Sequence, residues 1–288
     1  MQNFNWTESG KSLEEMVSGT AHKPYVYRAL VPQTILVFAK LFHIEKTTSA
    51  RVIMYASLVG FIFSFRYLYR TFWKPTLLLE VISILAIIGI LVFAPENKLY
   101  DLTGLSLFTL GLATLARTNL TAYLILFPLA VINKETALLL VLVFALHFFR
   151  TMERKRYAVL LIMQVLIFGL VRLALNFIFT NNPGTAFEIH WREFWLAIRY
   201  TSGLTFILML AFLMVFLLIS NRFQEKPIFL QHAAIAVLPA QFILYWTVGF
   251  PFELRFFLES YPIVLLFMVQ PLSRMLRLKA ITVDQKRI

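Results

Sequence analysis

The feature that most constrains this chain is a series of apolar segments separated by short polar loops. A helix needs about 20 mostly apolar residues to cross the hydrocarbon core of a membrane. Only 15% of the residues are charged, below the roughly 25% of soluble domains. The sequence therefore predicts an all-α polytopic transmembrane protein with about 9 to 10 spans. The apolar segments lie at 52–68, 75–94, 102–116, 120–132, 137–149, 157–179, 203–220, 230–249 and 257–273.

Two neighbouring segments are too short to cross a membrane alone. Residues 120–132 and 137–149 flank a polar quartet, Asn-Lys-Glu-Thr, at 133–136. A polar break at membrane depth is tolerated only where protein or a water-filled cavity surrounds it. The pattern therefore predicts short half-helices, or one long broken helix, around residues 120–149.

Lys and Arg are distributed unevenly over the predicted loops. Fifteen lie in the tail and in the loops that alternate with it, whereas the intervening loops hold five. Because these residues collect on the cytoplasmic side of membrane proteins, the C-terminus is predicted to be cytoplasmic. The net charge of +12 is then a matter of topology, and no nucleic-acid partner is expected.

The chain is interpreted as one membrane domain, 1–288. It divides into an N-terminal segment 1–47, a transmembrane core 48–276 and a basic cytoplasmic tail 277–288. Within the first part, residues 24–44 carry an apolar stripe interrupted by polar side chains. Two alternatives remain for this stretch, a tenth span or an interfacial amphipathic helix.

Cys and His, which commonly serve as nucleophiles or metal ligands, are scarce. The chain has no Cys and only five scattered His, which excludes thiolate chemistry and leaves no metal site predicted. Carboxylates alone would suffice for Mg or Mn, so the cofactor stays unknown.

The polar quartet is the most distinctive local motif. In one interpretation Asn133 caps a helix and Glu135 benefits from the helix dipole in the first turn. In the other, Lys134 offers a cation for phosphate and Glu135 a candidate base at a helix break. The two interpretations are compatible.

Other ionisable residues are predicted to lie near the same side of the membrane. Asp101 follows Tyr100 at the mouth of a span, as an N-cap or a functional acid. Arg172 is too costly to leave facing lipid, which predicts a carboxylate partner such as Glu135, or an anionic substrate group.

Two further pairs have ordinary structural interpretations beside the functional one. Trp191 and Arg192 lie in the amphipathic stretch 188–200, which is typical of an interfacial anchor helix. Arg255 and Glu259 are four residues apart and would pair along a helix.

Four short motifs together resemble a group of uncharacterised bacterial polytopic membrane proteins. More distantly, the polar residues predicted on the outer side and the spacing from Arg255 to Pro262 in the final span look like those of the GT-C-fold glycosyltransferases, which use polyprenyl-phosphate sugars. The chain departs from the GT-C pattern in having a very short loop at 44–51. The motifs are Tyr27-Arg28-x-Leu30-x-Pro32, Tyr100-Asp101, Asn133-Lys134-Glu135-Thr136 and Glu253-x-Arg255-x-x-x-Glu259-x-x-Pro262.

The resemblance implies an integral protein of the bacterial inner membrane that transfers a sugar at the outer face. Asp101 or Glu135 would be the catalytic base. The predicted substrate-binding residues are Arg28, Tyr100, Asn133, Lys134, Arg172, Trp191, Arg192, Arg255 and Glu259. The expected partners are membrane lipids, a polyprenyl-phosphate sugar and a membrane-protein complex. The alternatives are a non-catalytic scaffold or assembly subunit of such a complex, and a lipid or solute transporter.

Overall fold

The computed structural model of the protein describes residues 12–93, 99–185, 189–200, 220–249 and 253–276, with isolated positions at 203, 210, 213, 214, 216 and 217. Over these residues the fold is all-helical, which confirms the all-α part of the predicted class. The predicted basic tail 277–288 and most of the apolar segment 203–220 lie outside the described residues.

The described helices follow the apolar segments closely. The α-helices are α1 Leu13–Ser18, α2 Leu30–Phe42, α3 Lys46–Phe72, α4 Leu77–Phe93, α5 Asp101–Ala116, α6 Leu120–Asn133, α7 Leu138–Phe148, α8 Arg154–Ile178, α9 Trp191–Tyr200, α10 Ile228–Val248 and α11 Tyr261–Met275. Short 3₁₀ helices lie at Tyr25–Tyr27, Glu135–Ala137, Phe223–Glu225 and Leu254–Phe257.

Three described helices, α3, α8 and α10, are long and apolar enough to cross a membrane by length and composition. Helices α2, α4, α5, α6 and α7 are apolar but shorter. The 13 residues of α2 extend over about 20 Å at 1.5 Å per residue, short of the roughly 30 Å of a hydrocarbon core. Its length therefore favours the interfacial alternative for residues 24–44, while the total of 9 to 10 spans stays a prediction.

The directions of the helices follow from the side chains that join them. Helices α3 and α5 run in the same direction, since Ser57 in the middle of α3 bonds to Thr103 at the start of α5, and Thr71 at the end of α3 bonds to Arg117 just after α5. Helix α6 runs back, because Asn133 at its end meets Tyr100 at the start of α5. The chain thus crosses the bundle repeatedly between two common ends.

The predicted break between 120–132 and 137–149 is present. Helix α6 ends at Asn133, the chain extends at Lys134, and α7 begins at Leu138 after one 3₁₀ turn. Helix α7 then runs beside α5, where Gly111 leaves space for Leu140, which would lie 2.7 Å from an added Cβ. The two short helices therefore form a hairpin whose polar turn lies beside the start of α5.

The N-terminal segment 12–29 is fixed against the end of α8. The side-chain amide of Asn182 donates hydrogen bonds to the carbonyls of Gly19 and Ala21, at 2.8 and 2.9 Å. The ammonium of Lys23 bonds to the carbonyl of Thr180 at 2.8 Å. Because the backbone is held at these points, Arg28 is presented to Glu135 in the turn between α6 and α7, and Tyr27 bonds to Asn176 of α8.

The turn between α6 and α7 lies below the tips of the long helices. Arg172 of α8 and Gln241 of α10 contact the residues around this turn. Helix α8 continues from Arg172 to Ile178, and α10 continues from Gln241 to Val248. At 1.5 Å per residue these extensions reach about 9 to 10 Å farther, so the turn is recessed.

Candidate functional site

One group of side chains in this recess joins most of the predicted site residues. Nine of the eleven predicted positions belong to it, although they come from five separated parts of the chain. We call this group the polar cluster. It comprises Arg28, Tyr100, Asp101, Asn133, Lys134, Glu135, Arg172, Arg255 and Glu259.

The two remaining predicted residues lie elsewhere. Trp191, 60% exposed, and Arg192, also exposed, open α9. The amide of His190 just before them bonds to the carbonyl of Thr247 at 3.4 Å. Thr247 is about 9 Å along α10 from Gln241, which contacts the cluster. The structure therefore does not bring Trp191 and Arg192 to the polar cluster.

Glu135 is the centre of one half of the cluster. Its Oε1 accepts a hydrogen bond from Arg28 Nη2 at 2.7 Å, and its Oε2 lies 3.9 Å from Arg172 Nη1. Arg28 also donates to the hydroxyl of Tyr100, with its guanidinium 4.4 Å from the centre of the Tyr100 ring. The guess that Arg172 pairs with Glu135 is thus in agreement with the structure.

The charges around Glu135 fix its ionisation. Burial alone would raise its pKa, but the two guanidinium groups of Arg28 and Arg172 outweigh burial and lower the pKa to about 2. At Tyr100, in contrast, burial is the stronger influence and raises the pKa of the hydroxyl. At neutral pH Glu135 is therefore a carboxylate and Tyr100 is a neutral hydrogen-bonding group.

Lys134 is the centre of the other half. Its Nζ lies 2.9 Å from Glu259 Oε1 and 3.4 Å from Asp101 Oδ1. Asp101 Oδ2 lies 3.4 Å from Arg255 Nη1, and Arg255 also contacts Glu253. Burial opposes the charge on Lys134, but the carboxylates of Glu259 and Asp101 more than compensate and raise its pKa.

Glu259 is held by neutral donors as well as by Lys134. Thr136 Oγ1 donates to its Oε1 at 2.6 Å, and Gln241 Nε2 donates to its Oε2 at 2.8 Å. The sequence interpretation missed Gln241 as a partner. The signal was present, because an amide in the otherwise apolar α10 needs a buried hydrogen-bonding partner.

Two local interpretations made from spacing are wrong. Asn133 is not an N-cap but the last residue of α6, and its Nδ2 donates to the carbonyl of Tyr100 at 3.1 Å. Asp101, expected at or near an N-cap, is the first residue of α5 and follows the N-cap Tyr100, and its carboxylate also binds Lys134 and Arg255.

The second correction concerns Arg255 and Glu259. They do not pair with each other along a helix, because Arg255 lies in a 3₁₀ turn and Glu259 between this turn and α11. Arg255 binds Asp101 and Glu253, whereas Glu259 binds Lys134. Each residue thus has an oppositely charged partner from the start of α5 or from the α6–α7 turn, and Arg255 has the nearby Glu253 in addition.

The positions of the polar residues depend on close helix packing. Gly104, one turn into α5, lies against the side chains of the α6–α7 turn, and an added Cβ would be 3.0 Å from Asn133 Nδ2. The absence of a side chain at Gly104 lets Asn133 reach the carbonyl of Tyr100. The α6–α7 turn is thereby locked to the start of α5.

Together with Glu253, which binds Arg255 from just outside the cluster, the charges are balanced overall but not locally. Arg28 and Arg172 face the single carboxylate Glu135, which gives that half a net charge of about +1. The other half pairs the cations of Lys134 and Arg255 with three carboxylates, for a net charge of about −1. Those carboxylates are Asp101, Glu253 and Glu259.

Within the part of the chain that the structure describes, the positive half has hydrogen-bonding capacity that no protein group uses. Arg28 Nε, Arg172 Nη1 and Glu135 Oε2 are buried atoms without a hydrogen-bond partner there, as is Asn133 Oδ1 elsewhere in the cluster. Buried polar atoms are normally satisfied. The charged atoms among them all belong to the positive half, which could therefore bind an additional polar group.

The space enclosed inside the negative half is small. A cavity of ≈ 10 Å³ lies between α5, α6 and the α6–α7 turn. Its lining residues are Gly104, Phe108, Ala130, Lys134, Thr136, Ala137 and Glu259. This volume holds about one water molecule. A larger ligand would have to approach the cluster from the Arg28 and Arg172 side.

Among the described residues, no group of three or more His, Asp and Glu side chains is arranged to hold a metal ion. The carboxylates of the cluster are directed at Lys and Arg instead. The possible Mg or Mn ion thus has no ready-made ligand set in the described residues.

No protein-family model, curated protein or solved structure matches the chain. Function is therefore inferred from the polar cluster itself.

Proposed function

We propose that the protein is a membrane enzyme that transfers a sugar from, or to, a lipid-phosphate carrier, in the manner of the GT-C-fold glycosyltransferases. The observation that carries the proposal is the convergence of Arg28, Arg172 and Glu135 in the recess. Two cations and one carboxylate are what such a transfer requires. The proposal includes the 9 to 10 spans, with the cluster at the outer face of a bacterial inner membrane.

The reaction needs a base for the acceptor and cations for the leaving phosphate. Glu135 Oε2 takes the proton of the acceptor hydroxyl, and the acceptor oxygen forms a bond to the anomeric carbon of the sugar. The bond from that carbon to the phosphate oxygen breaks, and its electron pair stays on the phosphate. Arg28 and Arg172 stabilise the added negative charge on the leaving group.

Glu135 fits the role of the base better than Asp101 does. The Asp101 side chain is 2% exposed and lies between Lys134 and Arg255. Glu135 is 32% exposed and has an oxygen without a hydrogen-bond partner. We therefore assign Asp101 to positioning the two cations and Glu135 to proton transfer.

Substrate binding itself would tune the base. In the free protein Arg28 and Arg172 lower the pKa of Glu135 to about 2, which makes it a weak proton acceptor. A phosphate placed against both guanidinium groups would neutralise part of their charge and raise the pKa of Glu135 toward the working pH. The base would become effective only when the donor lipid is bound.

The test compares Glu135→Gln with a matched control in cells that lack the native copy. The change removes the proton acceptor and keeps the shape of the side chain, so we expect product lipids or glycans to form about 10² to 10⁴ times more slowly. Glu80→Gln is the control, because Glu80 pairs with Arg66 outside the cluster. Wild-type product levels in cells with Glu135→Gln, at equal protein abundance, would refute the assignment.

A non-catalytic scaffold is the second candidate. The overall charge balance of the cluster and the one-water cavity favour it, because a network that satisfies itself needs no substrate. On this account Lys134→Met lowers protein abundance, whereas Glu135→Gln leaves product levels unchanged. The two candidates therefore predict opposite results for Glu135→Gln.

A further inference from the structure

Two His side chains meet at the end of the bundle opposite to the polar cluster. His147 lies in the last turn of α7, and His232 lies near the start of α10. Leu138 and Gln241, at the cluster ends of these two helices, are each nine residues away from the His of the same helix. At 1.5 Å per residue the pair is about 14 Å along the helices from the cluster, so it belongs to a different part of the molecule.

The two imidazole rings face each other through their Nδ1 atoms. These atoms are 3.2 Å apart, although the two residues are separated by 85 positions in the sequence. Two N–H groups would repel each other at this distance, so at least one Nδ1 presents a lone pair. The ring of His147 is also held edge-on against the rings of Phe148 and Phe229, whose centres are 4.8 and 4.9 Å from its own. The pair is therefore already oriented by the packing of α7 against α10.

The separation of the two nitrogens is that of two imidazole ligands on one metal ion. A bond from zinc to a His nitrogen is about 2.0 to 2.1 Å long, so two such nitrogens at a tetrahedral angle lie roughly 3.3 to 3.4 Å apart. The observed 3.2 Å requires only a small tilt of the rings, which turns both lone pairs from each other toward one ion. Both side chains are half-buried, so water can reach the ion and supply its remaining ligands.

We propose that His147 and His232 bind one divalent transition-metal ion, of which Zn²⁺ is the representative, and that this ion fastens the end of α7 to the start of α10. Imidazole nitrogen is a preferred ligand of zinc, copper and nickel, whereas magnesium prefers oxygen. The proposal does not depend on sugar transfer, because neither His contributes to the polar cluster. The sequence conceals this site, since nothing in the spacing of the five His brings these two together.

The test measures metal binding to the full-length protein in detergent. The protein is purified with a tag that contains no His, treated with a chelator and titrated with ZnCl₂ by calorimetry. We expect one zinc ion per chain and a Tm that rises by roughly 5 to 10 °C when free zinc is about 100-fold above Kd. MgCl₂ at the same concentrations is the control and should leave Tm unchanged.

Copper gives a readout that needs no variant. With one equivalent of Cu²⁺, the electron paramagnetic resonance spectrum of the wild type should show splitting from two imidazole nitrogens. A spectrum with oxygen ligands alone, or with a single imidazole, would overturn the proposal.

Substitutions then assign the ligands. His147→Gln and His232→Gln each remove one imidazole and keep a polar side chain. Each should weaken zinc binding at least about tenfold, because even the loss of a group that only orients a metal ligand costs about 10- to 100-fold. His22→Gln is the matched control, since His22 is exposed in the N-terminal segment, and it should bind zinc as the wild type does.

The opposite results are equally clear. Equal zinc affinity in the wild type and in His147→Gln, or no binding to the wild type at millimolar ZnCl₂, would overturn the proposal. The two His would then be a hydrogen-bonded pair that packs α7 against α10 and binds no metal.

Discussion

The substitution Lys134→Met tests how much the polar cluster contributes to stability. Lys134 is 2.9 Å from Glu259 and 3.4 Å from Asp101, and both carboxylates are at most 3% exposed. Met keeps most of the length of Lys but removes the shared cation. Glu259 retains its bonds from Thr136 and Gln241, and Asp101 retains Arg255, so the loss is partial for each acid.

Breaking a buried ion pair by removing one partner typically costs about 3 to 5 kcal/mol. For a chain of this size, this corresponds to a fall in Tm of roughly 6 to 20 °C. Tm would be measured by intrinsic fluorescence in detergent at neutral pH. Lys40→Met is the matched control, since Lys40 is exposed on α2, and its Tm should stay close to that of the wild type.

A double substitution separates lost charge from lost packing. If the cost comes from an uncompensated carboxylate, Lys134→Met combined with Glu259→Gln should recover part of the lost Tm, with a coupling energy of about 0.5 to 3 kcal/mol. A Tm for Lys134→Met within about 2 °C of the wild type, or no recovery in the double variant, would show that the pairing is not what stabilises the turn.

Three further predictions follow from the same contacts. Arg28→Leu should destabilise the protein by about 3 kcal/mol and Arg172→Leu by about 1 kcal/mol, because Arg28 is 2.7 Å from Glu135 and Arg172 is 3.9 Å away; equal Tm values would contradict this order. The pKa of Glu135 is lowered from its ordinary value of about 4.5 to about 2, so its ionised form stabilises the fold fully above pH 4.5 and less as pH falls toward 2. Over that acidic range wild-type Tm should therefore drop more steeply than Tm of Glu135→Gln, and parallel pH profiles would argue against the shift. Reporters inserted after Arg156 and after Asn182 should give cytoplasmic and outer signals respectively, and the reverse pattern would refute the orientation.

The sequence predicted the helical class and most of the cluster for physical reasons that can be named. Long apolar segments require helices, and ionisable residues beside them require partners, which drew attention to Asp101, Glu135 and Arg172. The break at Lys134 was visible because two apolar segments of 13 residues cannot each cross a membrane. These inferences depend on composition and length, which one sequence supplies.

Most ion pairs within the cluster, apart from that of Arg172 with Glu135, could not be predicted from residue spacing. Spacing suggested that Arg255 pairs with Glu259, but helix α10 and the turn after it bring Arg255 to Asp101, which is 154 positions away in the sequence. Gln241 was missed because its role depends on which helix faces α10. Trp191 and Arg192 were expected at the site because they share its side of the chain, yet α9 lies near the tip of α10. Such distances are set by tertiary packing, which no local pattern encodes.

The most direct test of the proposed function is an experimental structure of the full-length protein in a lipid nanodisc that contains a polyprenyl monophosphate. Our account predicts density for the phosphate within about 3 Å of Arg28 Nε and Arg172 Nη1. Lipid density that avoids both guanidinium groups at saturating polyprenyl monophosphate, with Glu135 still bound to Arg28 as in the free protein, would contradict it.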